Sequence, residues 1–201
     1  MSTRPASPTS LQALVQHTKT LFCRRSTSVP TPYILAAAVN YNGPVKDMIH
    51  QLKYRKWTSV IDSIRPILDT YVKNISLSVD GYVVIPVPLH PDRQQERGFN
   101  QAELIGTIIS ESLQLPMHTN LLARIKKTKA QAELKDYKER AANIANAFQV
   151  TDNEAIKNKN IILVDDVYTT GATIDDAVRA LRSAGVKKII AVHSGKGGVG
   201  K

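Results

Sequence analysis

Residues 161–173, IILVDDVYTTGAT, decide how the rest of this chain is read. Ile161, Ile162, Leu163 and Val164 are the β-branched and aliphatic residues of a strand buried on both faces. Asp165 and Asp166 follow where such a strand leaves the core, and in an open parallel sheet ligands bind outside the carboxyl ends of the strands. Thr169, Thr170, Gly171 and Thr173 then supply hydroxyl donors, backbone N–H groups and one residue tolerant of positive φ, ahead of a helix whose N-terminus favours a phosphate. An acid pair for a diol beside a phosphate cradle describes a site for a ribose 5-phosphate. The competing reading is a buried strand followed by a helix cap. Capping accounts for one Asp or Thr, but not for two carboxylates, three threonines and a glycine within nine residues.

Length and charge bound the possibilities. A chain of 201 residues suits one α/β domain with additions at its ends. The net charge of +10 points to anionic partners: a polyphosphate, nucleic acid, or an acidic protein or membrane surface. Cys23 is the only cysteine, which excludes an intramolecular disulfide. No run approaches a membrane span, and the first thirty residues, with Pro5, Pro8, His17, Lys19, Arg24 and Arg25, lack the apolar centre of a signal peptide. The expectation is a cytoplasmic protein without membrane insertion.

Punctuation by Pro and Gly divides the chain into a leader with one short helix (1–32), an N-terminal helical segment (33–80), an α/β core (81–193) and a Gly/Lys-rich tail (194–201). Strands are expected at 33–39, 83–89, 121–125, 148–150, 161–164 and 188–192. Helices are expected at 11–22, 45–54, 60–72, 99–113, 137–147 and 173–184. Their alternation is the rhythm of a parallel sheet covered by helices.

A second dense cluster spans residues 84–101, VIPVPLHPDRQQERGFNQ. It leaves a strand, turns through Pro88 and Pro91, carries Arg93 and Arg97, and enters a helix at Gly98-Phe99-Asn100-Gln101. Two arginines beside a helix start suit a polyanion such as pyrophosphate; a solvated charged turn is the plainer alternative. Residues 126–135, with Lys126, Lys127 and Lys129, form a basic stretch that either closes over a polyphosphate or serves as a solvated linker.

These stretches carry a family resemblance. Residues 161–173 resemble the phosphoribosyl pyrophosphate (PRPP) signature of type I phosphoribosyltransferases, and residues 84–101 resemble the PVPLHP…R…RGFNQ block of the competence-associated ComF branch. Residues 121–148 and 41–57 are similar to further blocks of that branch, so the likeness covers about residues 40–192. It implies the α/β type I phosphoribosyltransferase fold: a mainly parallel sheet flanked by helices, with a short helical N-terminal addition. It also implies that Asp165 and Asp166 are the catalytic pair, holding the ribose hydroxyls directly or through Mg²⁺, while Tyr168, Thr169, Thr170, Gly171, Ala172 and Thr173 wrap the 5-phosphate. Arg93, Arg97, Lys126, Lys127 and Lys129 are then the candidates for the pyrophosphate side. The implied activity is amidophosphoribosyltransferase-like phosphoribosyl transfer from PRPP, with Mg²⁺, to an acceptor the residues do not identify. The rival is a non-catalytic competence factor binding PRPP, single-stranded DNA or the DNA-uptake machinery. An aromatic content of 5% weakens recognition of single strands by stacking.

Both ends depart from the family pattern. ComF-type proteins commonly begin with a four-cysteine zinc ribbon; Cys23 and His17 cannot close such a site, so no zinc is expected. The tail GKGGVGK, residues 195–201, resembles the opening of a MinD/Mrp-type deviant Walker A loop without its Ser/Thr and following helix. Nucleotide hydrolysis is not expected; a truncated product of a gene fusion, or a basic tail, explains the motif better.

Overall fold

The computed structural model describes residues 24–25, 33–37, 65–66, 68–70, 72, 78–128, 144–166 and 171–193. Seven strands lie among them: β1 (Arg24–Arg25), β2 (Ile34–Ala37), β3 (Tyr82–Pro86), β4 (Leu122–Arg124), β5 (Phe148–Val150), β6 (Asn160–Asp165) and β7 (Lys188–His193). The helical elements are α1 (Pro91–Arg97), α2 (Gln101–Leu113), α3 (Asn153–Ile156) and α4 (Ala172–Ser183).

The main sheet has the order β1-β2-β7-β6-β3, with β1 antiparallel at one edge and the other four strands parallel. Ile161 to Val164 are all at most 2% exposed, as expected of a central strand covered on both faces. Alternation divides the layers. Ile161, Leu163, Ile189 and Ala191 join Ile174, Ala177, Val178 and Leu181 of α4, together with Leu122 and Phe148, in one core cluster. Those α4 residues recur at helical spacing and present a single apolar face; each fully buried aliphatic side chain contributes ~1.5–3 kcal/mol. On the opposite layer Ile162, Ile190 and Val192 line a small apolar cavity of about 30 Å³ with Ile109 and Leu113 of α2 and with Val72 and Val79. The sheet is therefore flanked by helices on both sides, as a type I phosphoribosyltransferase fold requires.

Several boundaries and one assignment differ from expectation. Strands β4 and β5 do not extend the parallel sheet: they pair with each other, antiparallel, with Arg124 opposite Phe148. Each has three residues, and the ladder is completed by bonds from Ile125 N to Ala147 O and from Thr151 N to Leu121 O. Residues 91–97, read as a charged turn, are helical. His90 Nδ1 accepts the Asp92 N–H, Pro91 supplies a preset φ at the first position, and Gly98 at φ 73 closes the helix by donating to Gln94 O. Helix α3 was also unforeseen; Asp152 caps it through Ala155 N. The strand expected over 83–89 ends at Pro86, although Val87 N still donates to Val164 O at 2.8 Å.

Outside the described residues fall the expected leader apart from Arg24–Arg25, the helices at 11–22 and 45–54, Cys23 and His17, and the tail from 194. Most of the basic stretch and of the helix expected over 137–147 fall outside them too. Of the helix expected over 60–72, residues 65–66, 68–70 and 72 are described and are helical. No described helix is long and apolar enough to cross a membrane.

Candidate functional site

Asp165 is the last residue of β6 and lies in register with His193, the last residue of β7, at the carboxyl edge of the sheet. Period-two alternation places it on the same layer as Ile161 and Leu163, toward α4 and the β4–β5 pair. Only 9% of it is exposed. Its Oδ1 accepts the backbone N–H of Asp166 at 2.8 Å, turning the chain as it leaves the strand. Burial pushes the Asp165 carboxyl well above the usual carboxylate range; the neighbouring Asp166 charge adds to this, and the Arg124 guanidinium partly opposes it. Asp166 itself is half-buried.

Beyond the acid pair, Tyr168, Thr169 and Thr170 fall outside the described residues. The turn re-emerges at Gly171, whose φ of 87 is a conformation only glycine adopts without strain. Among the described residues no side chain caps α4 there, and its first-turn N–H groups are the donors a phosphate would meet. Ala172 is buried and Thr173 half-buried in that first turn. Two adjacent carboxylates tie the same helix to its surroundings. Asp175 accepts a hydrogen bond from the buried Tyr33 hydroxyl at 2.8 Å. Asp176 accepts the N–H groups of Asn146, Ala147 and Phe148 at 2.9, 2.8 and 3.4 Å and pairs with Arg179.

The basic candidates separate. Arg93, on α1, donates from Nη2 to Thr128 O at 3.0 Å. Lys127 pairs with Asp92 of α1 at 2.6 Å, which lowers the Asp92 carboxyl and raises the Lys127 amine. Lys126 points elsewhere, donating to Ala145 O at 3.3 Å, and Arg97 closes the last turn of α1. Lys129 falls outside the described residues. Sequence reasoning missed Arg124. It is 8% exposed, donates from Nη2 to Thr128 Oγ1, and lies 5.5 Å from the Phe148 ring centroid. Burial depresses its basicity and Arg93 depresses it further, while Asp165 and Asp176 act in the opposite sense. The available signal was its place in Leu122-Ala123-Arg124, where period two puts the arginine on the same buried face as Leu122.

The RGFNQ run now has a structural meaning. Gly98 ends α1 and Asn100 starts α2: its Oδ1 accepts Ala102 N at 3.0 Å while its Nδ2 donates to Val87 O at 3.0 Å. One buried amide thus ties the start of α2 to the carboxyl end of β3 and sets the position of the intervening α1. Arg93 and Arg124, the acid pair and the open start of α4 are all gathered at one edge of the sheet.

Known proteins resemble this chain over its core. The phosphoribosyl transferase domain family matches residues 102–200. Over 108 residues the chain is 42% identical to Competence protein F of Haemophilus influenzae, covering 53% of this chain and 46% of that protein. Over 145 residues it is 32% identical to Competence protein ComFC of Bacillus subtilis, covering 72% and 56% respectively. The chain belongs to the ComF family. This ComF-family chain spans about half the length of those two relatives. A solved structure of glutamine PRPP amidotransferase from B. subtilis, complexed with ADP and GMP, aligns at 16% identity and a TM-score of 0.44, covering 66% of this chain and 26% of that one. Within the ComF-family chain the domain match takes in β6, the acid pair and α4, and begins beyond Arg93.

Proposed function

We propose that this ComF-family chain binds PRPP with Mg²⁺ at the carboxyl edge of β6 and transfers its phosphoribosyl group to an acceptor nucleophile. The observation that carries the reading is the pair Asp165 and Asp166 at the end of a fully buried parallel strand, followed by a positive-φ glycine opening an uncapped helix.

Asp165 and Asp166 accept hydrogen bonds from the ribose hydroxyls and fix the sugar ring. The first-turn N–H groups of α4, with the hydroxyls of Thr169, Thr170 and Thr173 and the turn formed by Tyr168, Gly171 and Ala172, hold the 5-phosphate. Arg93 faces the diphosphate, with Arg97, Lys127 and Lys129 as further cations on that side. The bond from C1 to the diphosphate oxygen breaks with its electron pair leaving on pyrophosphate, and the nucleophile's lone pair forms the new bond to C1. Positive charge on the ring in the transition state is favoured by the adjacent carboxylates, negative charge on the leaving group by the arginine.

Among the described residues no three His, Cys, Asp or Glu side chains gather as a metal cage. Two adjacent carboxylates fit a magnesium ion that reaches the site with a polyphosphate and is completed by phosphate oxygens and water. When bound, Mg²⁺ supplies charge neutralisation on the diphosphate. A site for a phosphorylated sugar accords with a cytoplasmic location.

The names of the two competence proteins favour a second reading, in which the same site holds PRPP without turnover or a basic surface engages single-stranded DNA during uptake. The net charge of +10 serves a phosphate backbone equally well. Calorimetric titration of PRPP with Mg²⁺ into the wild type and into Asp165→Asn/Asp166→Asn, followed by single-stranded DNA over a salt series, separates them. Equal PRPP binding by both proteins, or binding by neither, refutes the site. DNA affinity that survives the double substitution and moderate salt favours the second reading. Pyrophosphate release in a screen of bases and amines establishes transfer.

A further inference from the structure

We propose that the groove between β5 and the C-terminal half of α4 is a docking site for an extended, acidic segment of a partner protein. The groove opens toward the amino edge of the sheet, away from the acid pair, so the inference stands apart from the PRPP reading.

Two elements that diverge make the groove. At Phe148 the strand is held to the helix, its N–H directed at Asp176. Beyond that point a cleft of about 320 Å³ lies between them, lined on the helix side by Arg179, Ala180 and Ser183 and on the other by Gln149, Val150 and Asn153.

The strand side names the kind of occupant. Ile125 N donates to Ala147 O and Thr151 N to Leu121 O, so positions 147, 149 and 151 face β4. Alternation turns the backbone groups of Phe148 and Val150 the other way, toward α4. The Phe148 N–H reaches Asp176, whereas the Val150 N–H and the carbonyls of Phe148 and Val150 have no partner among the described residues. Unpaired donors and acceptors along a strand edge are what a second extended chain completes. Gln149 and Asn153 add exposed side-chain amides that can serve the same backbone.

Charge selects among extended chains. Arg179 stands in the lining with half its side chain exposed. Gly185, at the other end of the groove, packs so closely on Lys157 that an added Cβ would sit 3.3 Å from the Lys157 Cγ. Lys187 N donates to Lys159 O at 2.8 Å, and Lys188 opens β7. All four lysines are exposed. The acids around them are engaged: Asp152 caps α3, Glu154 lies 3.6 Å from Lys157, Asp80 takes the Ser78 hydroxyl, and Asp176 pairs with Arg179. Carboxylates on an incoming chain therefore meet cations at both ends of the groove. A nucleic-acid strand would meet the same cations, but such strands also stack their bases on aromatic side chains. Phe148, the one aromatic residue among those lining the groove, is buried beneath Arg124. The open backbone edge favours a peptide.

The test is fluorescence anisotropy of a labelled peptide of alternating Glu and Thr, beside the matching Lys/Thr peptide and a labelled single-stranded DNA. The proteins are the full chain as wild type, Ser183→Trp and Lys187→Glu/Lys188→Glu, each checked by thermal melting. The wild type should bind the Glu/Thr peptide at least about tenfold more tightly than the Lys/Thr peptide. Ser183→Trp, which fills the groove, and the charge reversal should each weaken the Glu/Thr peptide by at least about fivefold and leave ribose 5-phosphate binding within about twofold. Hydrogen exchange at the Val150 amide should slow when the peptide is bound. The proposal is overturned if the wild type does not bind the Glu/Thr peptide, or if Ser183→Trp binds it like the wild type, which reduces the attraction to surface charge. It is also overturned if DNA binding alone responds to Ser183→Trp, which assigns the groove to a nucleic acid. Should Ser183→Trp not fold, unchanged exchange at Val150 in the presence of the peptide overturns it. Failure of the PRPP site is read separately, from ribose 5-phosphate.

Discussion

Asp176 of α4 accepts the backbone N–H of Ala147 at 2.8 Å, joining positions 29 residues apart in sequence. Its carboxylate also takes the N–H groups of Asn146 and Phe148 and pairs with Arg179, so one buried acid fixes the point at which the chain re-enters β5. Asn146 sits at φ 55 there, a left-handed conformation that aims successive N–H groups at one acceptor. The helix that opens at the candidate phosphate turn is thereby tied to the entry of β5. Replacing Asp176 by Ala should cost about 3–5 kcal/mol, because two buried donors and a part-buried one lose their acceptor. Asp176→Asn, which keeps one oxygen, should cost about 1–2 kcal/mol. Urea denaturation measures both, and equal costs would show that the charge and not the hydrogen bonding matters.

Asp165 illustrates a conflict between site and stability. Its carboxyl is raised well above the ordinary range, first by burial and then by Asp166. The unfolded chain loses this proton near pH 4, while the folded chain retains it to higher pH. Between those values the folded state binds more protons, so this group's contribution falls as pH rises and is constant below the unfolded value. Asp165→Asn should therefore raise the urea midpoint relative to wild type, with the gap opening from pH 4 toward pH 7.5. A gap independent of pH would place the effect in packing. The same variant should lose PRPP binding.

Gly171 stands at φ 87 where α4 begins. An alanine there incurs about 1–2 kcal/mol of backbone strain and tilts the first-turn N–H groups. Gly171→Ala should lower the melting temperature and weaken ribose 5-phosphate more than pyrophosphate. The reverse preference would move the 5-phosphate elsewhere.

The Lys127–Asp92 ion pair spans α1 and the start of the basic stretch at 2.6 Å, with 73% and 46% of the side chains exposed. In solvent such a pair is worth little. Lys127→Ala should leave the melting temperature unchanged and act instead on pyrophosphate association, most visibly at low salt. A large loss of stability would contradict the exposed geometry.

The parts of the fold legible in the sequence were those with a strong period and clear punctuation. Residues 161–164 are apolar throughout, and a strand was found there, extended by one residue at each end. Helix α4 was expected one residue late at each boundary because Gly171, not Thr173, opens it. Helix α1 stayed hidden because none of its residues is buried: with no apolar face, Pro91 and Gly98 read as turn residues and not as its first position and its closure. The pairing of β4 with β5 was equally invisible, since three-residue strands carry no periodicity that says which neighbour they choose. At the site, the acid pair stood out by its placement after an apolar run. Arg124 did not, because its importance lies in meeting Arg93 across distant elements, and a lone arginine at a strand end signals nothing by itself.

Strand β2 pairs in parallel with β7, Ile34 beside Ile190, although the two come from opposite ends of the described chain. On a ribosome the N-terminal strand emerges first, yet its parallel neighbour emerges after β3 and β6 are already available to each other. Residues 34–37 must therefore wait, solvent-facing or chaperoned, until 188–193 have left the exit tunnel. Since Tyr33 anchors Asp175 of α4, the segment seated last is also the one that locks the helix at the candidate site. Completion of the sheet and maturation of that pocket are thus a single late event of folding.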